Sequence, residues 1–468
     1  MDSSQLPYAN LVDIAGLIRT KQISPVEVTA AMLERIEALQ PRLHAYVTVT
    51  ADQAMAQAKA AEAEIMSGRY RGPLHGVPIG LKDLCFTKGV KTTGGMAIYA
   101  DYVPDEDGTV PARLTAAGAV TLGKLKMTEG AYAEHHPTVQ APLNPWNPAH
   151  WAGSSSSGSG VATAAGLCYG SIGSDTGGSI RFPSLMNNVT GLKPTWGRVS
   201  RHGSFVLSDT LDHLGPMTRC AADAAVMLHA IAGEDDRDPT TLLAPVPDYL
   251  GAVQAAGVFG ARGLRIGIDR DYNTKDVDPR VVELTEAAAA VLASLGAELV
   301  EVEFPDSQSV LESWVAFCAY ETAHVHRETY PSRRDEYGPT LAGFIDIGLA
   351  QGPLDLAAMA IERDRFKGRL ARLFRKVDLV LIPGLFLPGP SLERLALGDP
   401  SELTRLLKYT APLDVSGSPT ITLPCGFSDI GVPVGFQLVG PHLSEQTLLC
   451  AGHAFQQATD WHTRHPEL

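Results

Sequence analysis

The chain has 468 residues, 45% of them apolar and 19% charged, with a mean hydropathy of +0.01. This is a globular composition with enough length for a large core, and it argues against a fibrous or disordered chain. A formal charge of −14, from 38 Lys and Arg against 52 Asp and Glu, is spread along the sequence and opposes non-specific binding to nucleic acid or anionic membranes.

Met1-Asp-Ser-Ser-Gln-Leu-Pro7 lacks the basic-then-apolar pattern of a signal peptide. No charge-free run of about 18 apolar residues occurs, so no membrane span is expected. A helix starts at Ser24-Pro25-Val-Glu27, with an N-cap serine, proline at the first helical position and a glutamate closing a capping box. It is expected to run to about Leu39 and stop before Pro41. An alanine-rich helix covers roughly Ala51 to Ser67, and Leu74–Leu81 reads as a buried strand leading to Lys82. Strand Ala119–Leu122, helix Val161–Gly166 and strand Gly170–Ser174 follow.

Farther on, strand Leu264–Ile268, a helix capped by Asp278-Pro279 and running to Leu295, and strand Glu298–Phe304 make a βαβ unit. The stretch from about Pro305 to Arg375 is mostly helical and more polar, as a flap over the sheet would be. Val377–Ile382 and Thr420–Leu423 read as further buried strands. The alternation predicts an α/β fold with a large mixed, mostly parallel twisted central sheet and helices on both faces. One domain over 1–468 is expected, its core at 65–220 carrying the chemistry and 305–375 forming the flap.

Six cysteines (Cys85, Cys168, Cys220, Cys318, Cys425 and Cys450) stand singly, with no Cys-x-x-Cys pair. Neither a zinc ribbon nor a disulfide scaffold is spaced this way, and a cytoplasmic location is expected. His135-His136 and His324-Val-His326 have no carboxylate or cysteine to complete a ligand set, so no metal is expected; no cofactor motif is present either.

Three stations remain that carry chemistry: Lys82 in Gly-Leu-Lys82-Asp, the run Gly153-Ser-Ser-Ser-Ser-Gly-Ser-Gly160, and Ser179 in Ser174-Asp-Thr-Gly-Gly-Ser179-Ile-Arg. Gly177-Gly178 allows a tight turn in which the N–H groups of Thr176, Gly177, Gly178 and Ser179 converge as an oxyanion hole. The serine run is not a Walker A loop, because Ser159 stands where lysine belongs. It completes no dinucleotide fingerprint, and Arg181 breaks the nucleophile-elbow pattern at Ser179. Lys82 follows an apolar stretch, so it emerges into low dielectric, where its neutral amine becomes accessible.

Lys82-Asp83, the serine run, Ser174–Pro183, Gly191-Leu-Lys-Pro-Thr195 and Val432–Gly440 together resemble the amidase signature enzymes over nearly the whole chain. The resemblance implies a Ser–cis-Ser–Lys triad on Ser179, Ser155 and Lys82, with the Ser154–Ser155 peptide cis. In the family the bridging serine precedes the nucleophile by 24 residues, which selects Ser155. Ser154 and Ser157 replace family glycines, so Ser156 stays open as the bridge. Asp175 and Arg181 are expected to brace the loop as an ion pair.

The resemblance implies an amidohydrolase cleaving a neutral carboxamide, anilide or carbamate through a seryl acyl-enzyme. Two alternatives stand beside it: the glutaminase component of a glutamyl-tRNA amidotransferase, working with partner subunits, and a urethanase acting mainly on carbamates. A glutaminase needs an arginine and an acid for the zwitterion; by alignment with the family those positions fall at Gly343 or Phe344 and near Leu407, which are not charged. Ala131 and Tyr132, in a loop that lines the substrate channel elsewhere in the family, and Phe386, after a strand, are the substrate-contact candidates. The expected partner is a small amide or carbamate, with no nucleic acid and no membrane; a homodimer is compatible with this.

Overall fold

Eleven strands form one sheet in the order β1-β3-β2-β4-β6-β5-β10-β11-β9-β7-β8. They are β1 Tyr46–Val49, β2 Pro78–Lys82, β3 Val120–Leu125, β4 Gly170–Asp175, β5 Thr190–Lys193, β6 His213–Thr218, β7 Arg265–Ile268, β8 Glu298–Glu301, β9 Leu379–Pro383, β10 Thr420–Phe427 and β11 Pro433–Val439. The computed structural model describes residues 5–397 and 399–468; Met1–Ser4 of the N-terminal stretch considered above lie outside them. Every residue of β2, β3, β4, β5, β6, β9 and β11 is buried, so both faces of the sheet are covered. Among the described residues no single helix is long and apolar enough to cross a membrane.

The sheet is mixed, as expected, but it is not mostly parallel. Parallel pairing is confined to two blocks, β3-β2-β4 and β9-β7-β8. All strand pairs between β4 and β9 are antiparallel, and so is β1 with β3. One cause is local: β10 and β11 are joined by the tight turn Ser428–Val432, and a hairpin can only pair antiparallel.

The first parallel block positions the site. Gly80 and Leu81 of β2 lie opposite Ser171 and Ile172 of β4, and Lys82 lies opposite Leu125 of β3. The carboxyl ends of the three strands therefore open at the same edge, where α/β sheets typically carry their ligands.

Helix α1 (Pro25–Leu43) has the capping box the sequence predicts: Ser24 Oγ accepts from Val26 N and Glu27 Oε2 accepts from Ser24 N, each at 2.9 Å. It passes Pro41 and ends at Leu43, where His44 adopts a left-handed φ of 54°. Pro41 lies in the exposed last turn, where water can serve the carbonyl left without a donor. Helix α2 spans Ala51–Met66. Helix α3 begins at Ser157, earlier than expected, and ends at Ala164, so the serine run is its N-terminal entry.

Helix α4 (Arg181–Asn187) follows Ser179 almost at once. The expected βαβ unit is present, with helix α5 (Pro279–Ser294) capped by Asp278. Residues 308–373 carry α6 (Gln308–Val325), α7 (Pro339–Leu349) and α8 (Pro353–Leu373). Helix α9 (Ala411–Ser416) precedes β10.

Candidate active site

Between Ser155 and Thr195 every residue is buried except Ser179. The densest part of the sheet thus leaves one side chain open to solvent, at the carboxyl end of β4. Ser179 Oγ makes no hydrogen bond to a described residue.

Behind it lies a buried amine. Lys82 Nζ, at the end of β2, is 2.7 Å from Ser155 Oγ, 2.8 Å from Ser156 Oγ and 2.8 Å from Ser174 Oγ. Burial pulls its pKa down to about 7, outweighing the attraction of Asp175. The Ser154–Ser155 peptide is cis.

The two neighbouring serines are not equivalent. Ser156 Oγ donates to Ser174 O and accepts from Ser174 N, each at 3.2 Å, in addition to meeting Lys82. Ser155 Oγ has Lys82 as its sole side-chain partner among the described residues. Its carbonyl accepts from Thr128 N at 3.1 Å, which ties the loop holding Ala131 and Tyr132 to the serine run.

The nucleophile loop is braced by charge. Asp175 accepts from Gly178 N at 2.6 Å, Ile180 N at 3.0 Å and Arg181 N at 3.3 Å, and forms a two-pronged pair with Arg181 Nε (2.9 Å) and Nη2 (2.8 Å). Arg181 also reaches Asp414 of α9 at 2.5 Å and Thr410 O at 2.9 Å. Burial alone would raise the Asp175 pKa, but the Arg181 guanidinium, with Lys193 and His213, outweighs it and holds the carboxyl well below the usual carboxylate range. Nearby, Thr176 Oγ1 donates to Asp212 at 2.6 Å, and burial pushes that carboxyl up to about 6.

The expected oxyanion hole needs one correction. The N–H of Gly178 belongs to Asp175, so it does not point at an incoming carbonyl oxygen. The N–H groups of Thr176, Gly177 and Ser179 meet no acceptor among the described residues. Gly178 instead supplies conformation, with φ +136°, and a Cβ there would lie 2.4 Å from the Phe182 ring.

The amidase family profile matches residues 27–449. The chain belongs to the amidase family. It is 47% identical to the putative amidase AmiD of Mycobacterium tuberculosis, over 100% of this chain and 97% of that protein. It is 38% identical to the A subunit of the glutamyl-tRNA(Gln) amidotransferase of Moorella thermoacetica, with 99% of each covered. Among solved structures it is similar to the native peptide amidase of Stenotrophomonas maltophilia, with a TM-score of 0.84, 30% identity, and 98% of this chain and 99% of that one covered. This amidase is therefore a hydrolase acting on amides.

The substrate-contact candidates divide. Tyr132 stacks on Phe344 of α7, with ring centroids 3.7 Å apart and planes 14° from parallel. Ala131 beside it is buried and has a left-handed φ of 65°. Phe386 is not brought to the triad. It is buried against Arg405, whose guanidinium lies 4.0 Å from the ring centroid, in a separate cleft that also takes in Tyr272, Phe304 and Lys408. The loop after β9 leaves the sheet away from the β2–β4 edge, because β9 pairs antiparallel to β11.

Gly343 is exposed with open space around it, whereas Phe344 and Leu407 are buried. No His, Cys, Asp or Glu group among the described residues is arranged to hold a metal; His135 bonds Ser157 and His326 bonds Tyr337.

Sequence reasoning missed Trp314 of α6. Its Nε1 donates to Thr176 O at 3.1 Å, and a Cβ on Gly177 would lie 2.4 Å from its ring. The stretch around Trp314 carries no motif, so nothing in the sequence singles it out. Asp175→Asn keeps one acceptor oxygen but replaces the other with an NH2, so either the Gly178 amide or the Ile180 and Arg181 amides lose their acceptor. The substitution also unbalances a buried cation. It is expected to lower stability by roughly 3–5 kcal/mol, read as a shift of the urea midpoint, and to abolish amide hydrolysis. An unchanged midpoint would show that the ion pair does not brace the loop.

Proposed function

We propose that this amidase hydrolyses a neutral carboxamide, anilide or carbamate through a seryl acyl-enzyme, with Ser179 as nucleophile, Ser155 as proton bridge and Lys82 as base. The observation that carries it is the contact of Ser155 with a buried amine whose pKa burial lowers to about 7, together with Ser179 as the one residue between 155 and 195 that is not fully buried. A neutral amine has two N–H donors and one lone pair. Ser156 and Ser174 can take the two donors, and the Ser155 hydroxyl then donates to the lone pair. Ser156 has its proton committed to Ser174 O, which favours Ser155 as the bridge.

In the proposed reaction Ser179 Oγ attacks the carbonyl carbon. Its proton passes to Ser155, and the Ser155 proton passes to Lys82. The oxyanion is met by free N–H groups of the 176–179 loop. Collapse breaks the C–N bond, and the same relay returns a proton to the leaving amine. Water, deprotonated along the same path, then cleaves the acyl-enzyme and restores Ser179. A carbamate carbonyl is open to the same attack.

The choice of a neutral substrate rests on the family resemblance, which puts a zwitterion's charged partners at Gly343 or Phe344 and near Leu407, none of them charged here, and on Arg181 being already paired with Asp175 and Asp414. Purified protein is expected to cleave propionamide, benzamide, p-nitroacetanilide or ethyl carbamate in preference to L-glutamine, followed by ammonia or aniline release. Glutamine as the sole substrate would instead favour the amidotransferase reading, which the 38% identity to the Moorella protein keeps in view.

Neutral Lys82 is the working form, so kcat/KM should rise with pH through about 7 and fall about tenfold per unit on the acid side. Ser179→Ala should lower kcat by at least about a thousandfold. A rate flat from alkaline pH to pH 5 would remove Lys82 as base, and a fully active Ser179→Ala would remove the nucleophile.

A further inference from the structure

A trans peptide points the C=O of one residue and the N–H of the next in opposite directions. Whatever grips the carbonyl from one side therefore aims the following N–H to the other. Three of the four peptides between Asp175 and Ser179 are gripped in this way. His213 Nδ1 lies 3.2 Å from Asp175 O, Trp314 Nε1 donates to Thr176 O at 3.1 Å, and Phe182 N donates to Gly178 O at 2.6 Å. The amides that follow these carbonyls belong to Thr176, Gly177 and Ser179, the three without an acceptor among the described residues. In the fourth peptide the N–H of Gly178 is held by Asp175 instead.

We infer that His213 and Trp314 are positioning residues that aim the Thr176 and Gly177 amides at the developing oxyanion. The inference rests on the seryl acyl-transfer reading above. His213 is buried and oriented from its far side, where Lys193 Nζ lies 3.2 Å from Nε2. Nε2 accepts there, which leaves the ring proton on Nδ1, facing Asp175 O and, at 3.5 Å, Asp414 Oδ1. Lys193 lies in the Gly191–Thr195 motif, which thereby gains a role. Trp314 reaches the loop from α6, so the geometry of the oxyanion donors depends on how the flap helix is seated. Phe182 donates through its backbone at the entry to α4, a contact that side-chain substitution leaves in place.

Trp314→Phe removes the indole N–H and keeps an aromatic, though smaller, ring at this position. Measured on the fastest substrate of the amide series, it is expected to lower kcat roughly 10- to 100-fold, part of the loss seen when an oxyanion donor is removed, with KM within about twofold. Affinity for phenylboronic acid, whose tetrahedral adduct places an oxygen in the hole, should fall by a similar factor. His213→Leu should behave likewise, and His213→Asn, with an amide N–H near the Nδ1 position, should recover much of the loss.

If His213→Leu does not fold, Trp314→Phe decides alone. Wild-type kcat and boronate affinity in Trp314→Phe would overturn the inference, as would a loss confined to KM. Ser179→Ala separates the two failures: if it is inactive while Trp314→Phe is normal, only the positioning role falls. If Ser179→Ala is fully active, the acyl-transfer reading falls first.

Discussion

Desolvation of Lys82 turns an ordinary lysine into a candidate base, and that desolvation is a property of the sheet rather than of one contact. Lys82 ends a strand whose every residue is buried, between two parallel neighbours that are buried as well. With water excluded, the charged form loses its hydration and the pKa falls toward neutrality. The amine then depends on hydroxyls for its hydrogen bonds, and three serines provide them. A serine run at this place thus meets the polar demand of a buried amine without adding a charge.

The same low dielectric governs the loop that carries Ser179. Asp175 gathers backbone donors from Gly178 to Arg181, and its charge is balanced by Arg181, which is shared with Asp414. Lys193 and His213 extend this buried network under β5 and β6. Arg181 balances Asp175 there, while burial pushes the Asp414 carboxyl well up and the His213 ring well down, so the loop is fixed by charge-assisted bonds while its outward amides stay free. The free amides of the loop are thus held in place by buried groups behind them.

Motif and local chemistry made part of this legible in the sequence. The capping box at Ser24, the strands ending at Lys82 and Asp175, and the Asp175–Arg181 pair can all be read locally, because each depends on neighbours within a few residues or on an unbroken apolar run. Strands β5 (Thr-Gly-Leu-Lys) and β6 (His-Leu-Gly-Pro-Met-Thr) carry glycine and proline that weaken strand propensity; they form because β4 and β10 enclose them. Trp314 and His213 could not be placed, since they reach the loop only through tertiary packing. Phe386 misleads for a related reason: a residue after a strand faces the site only if that strand runs toward it. The serine run alone leaves Ser155 and Ser156 open, and only the hydrogen bonds of Ser156 to Ser174 distinguish them.

The proposed preference for neutral substrates follows from the constraint on Lys82. A substrate carboxylate held ~6 Å from the amine would stabilise its protonated form by roughly 3 kcal/mol at an effective dielectric of about 20, or about two pKa units. With a starting value of about 7, the amine would then be almost wholly protonated at neutral pH and unable to take the serine proton. A site that accepts such a carboxylate must neutralise it with a cation of its own. By the family resemblance that cation would stand at Gly343 or Phe344, neither of which is charged; Phe344 is stacked on Tyr132, and Arg181 is committed to Asp175 and Asp414. In the proposed reaction a neutral substrate leaves the lowered pKa of Lys82 undisturbed, so the proposed substrate choice and base strength are linked through one dielectric environment.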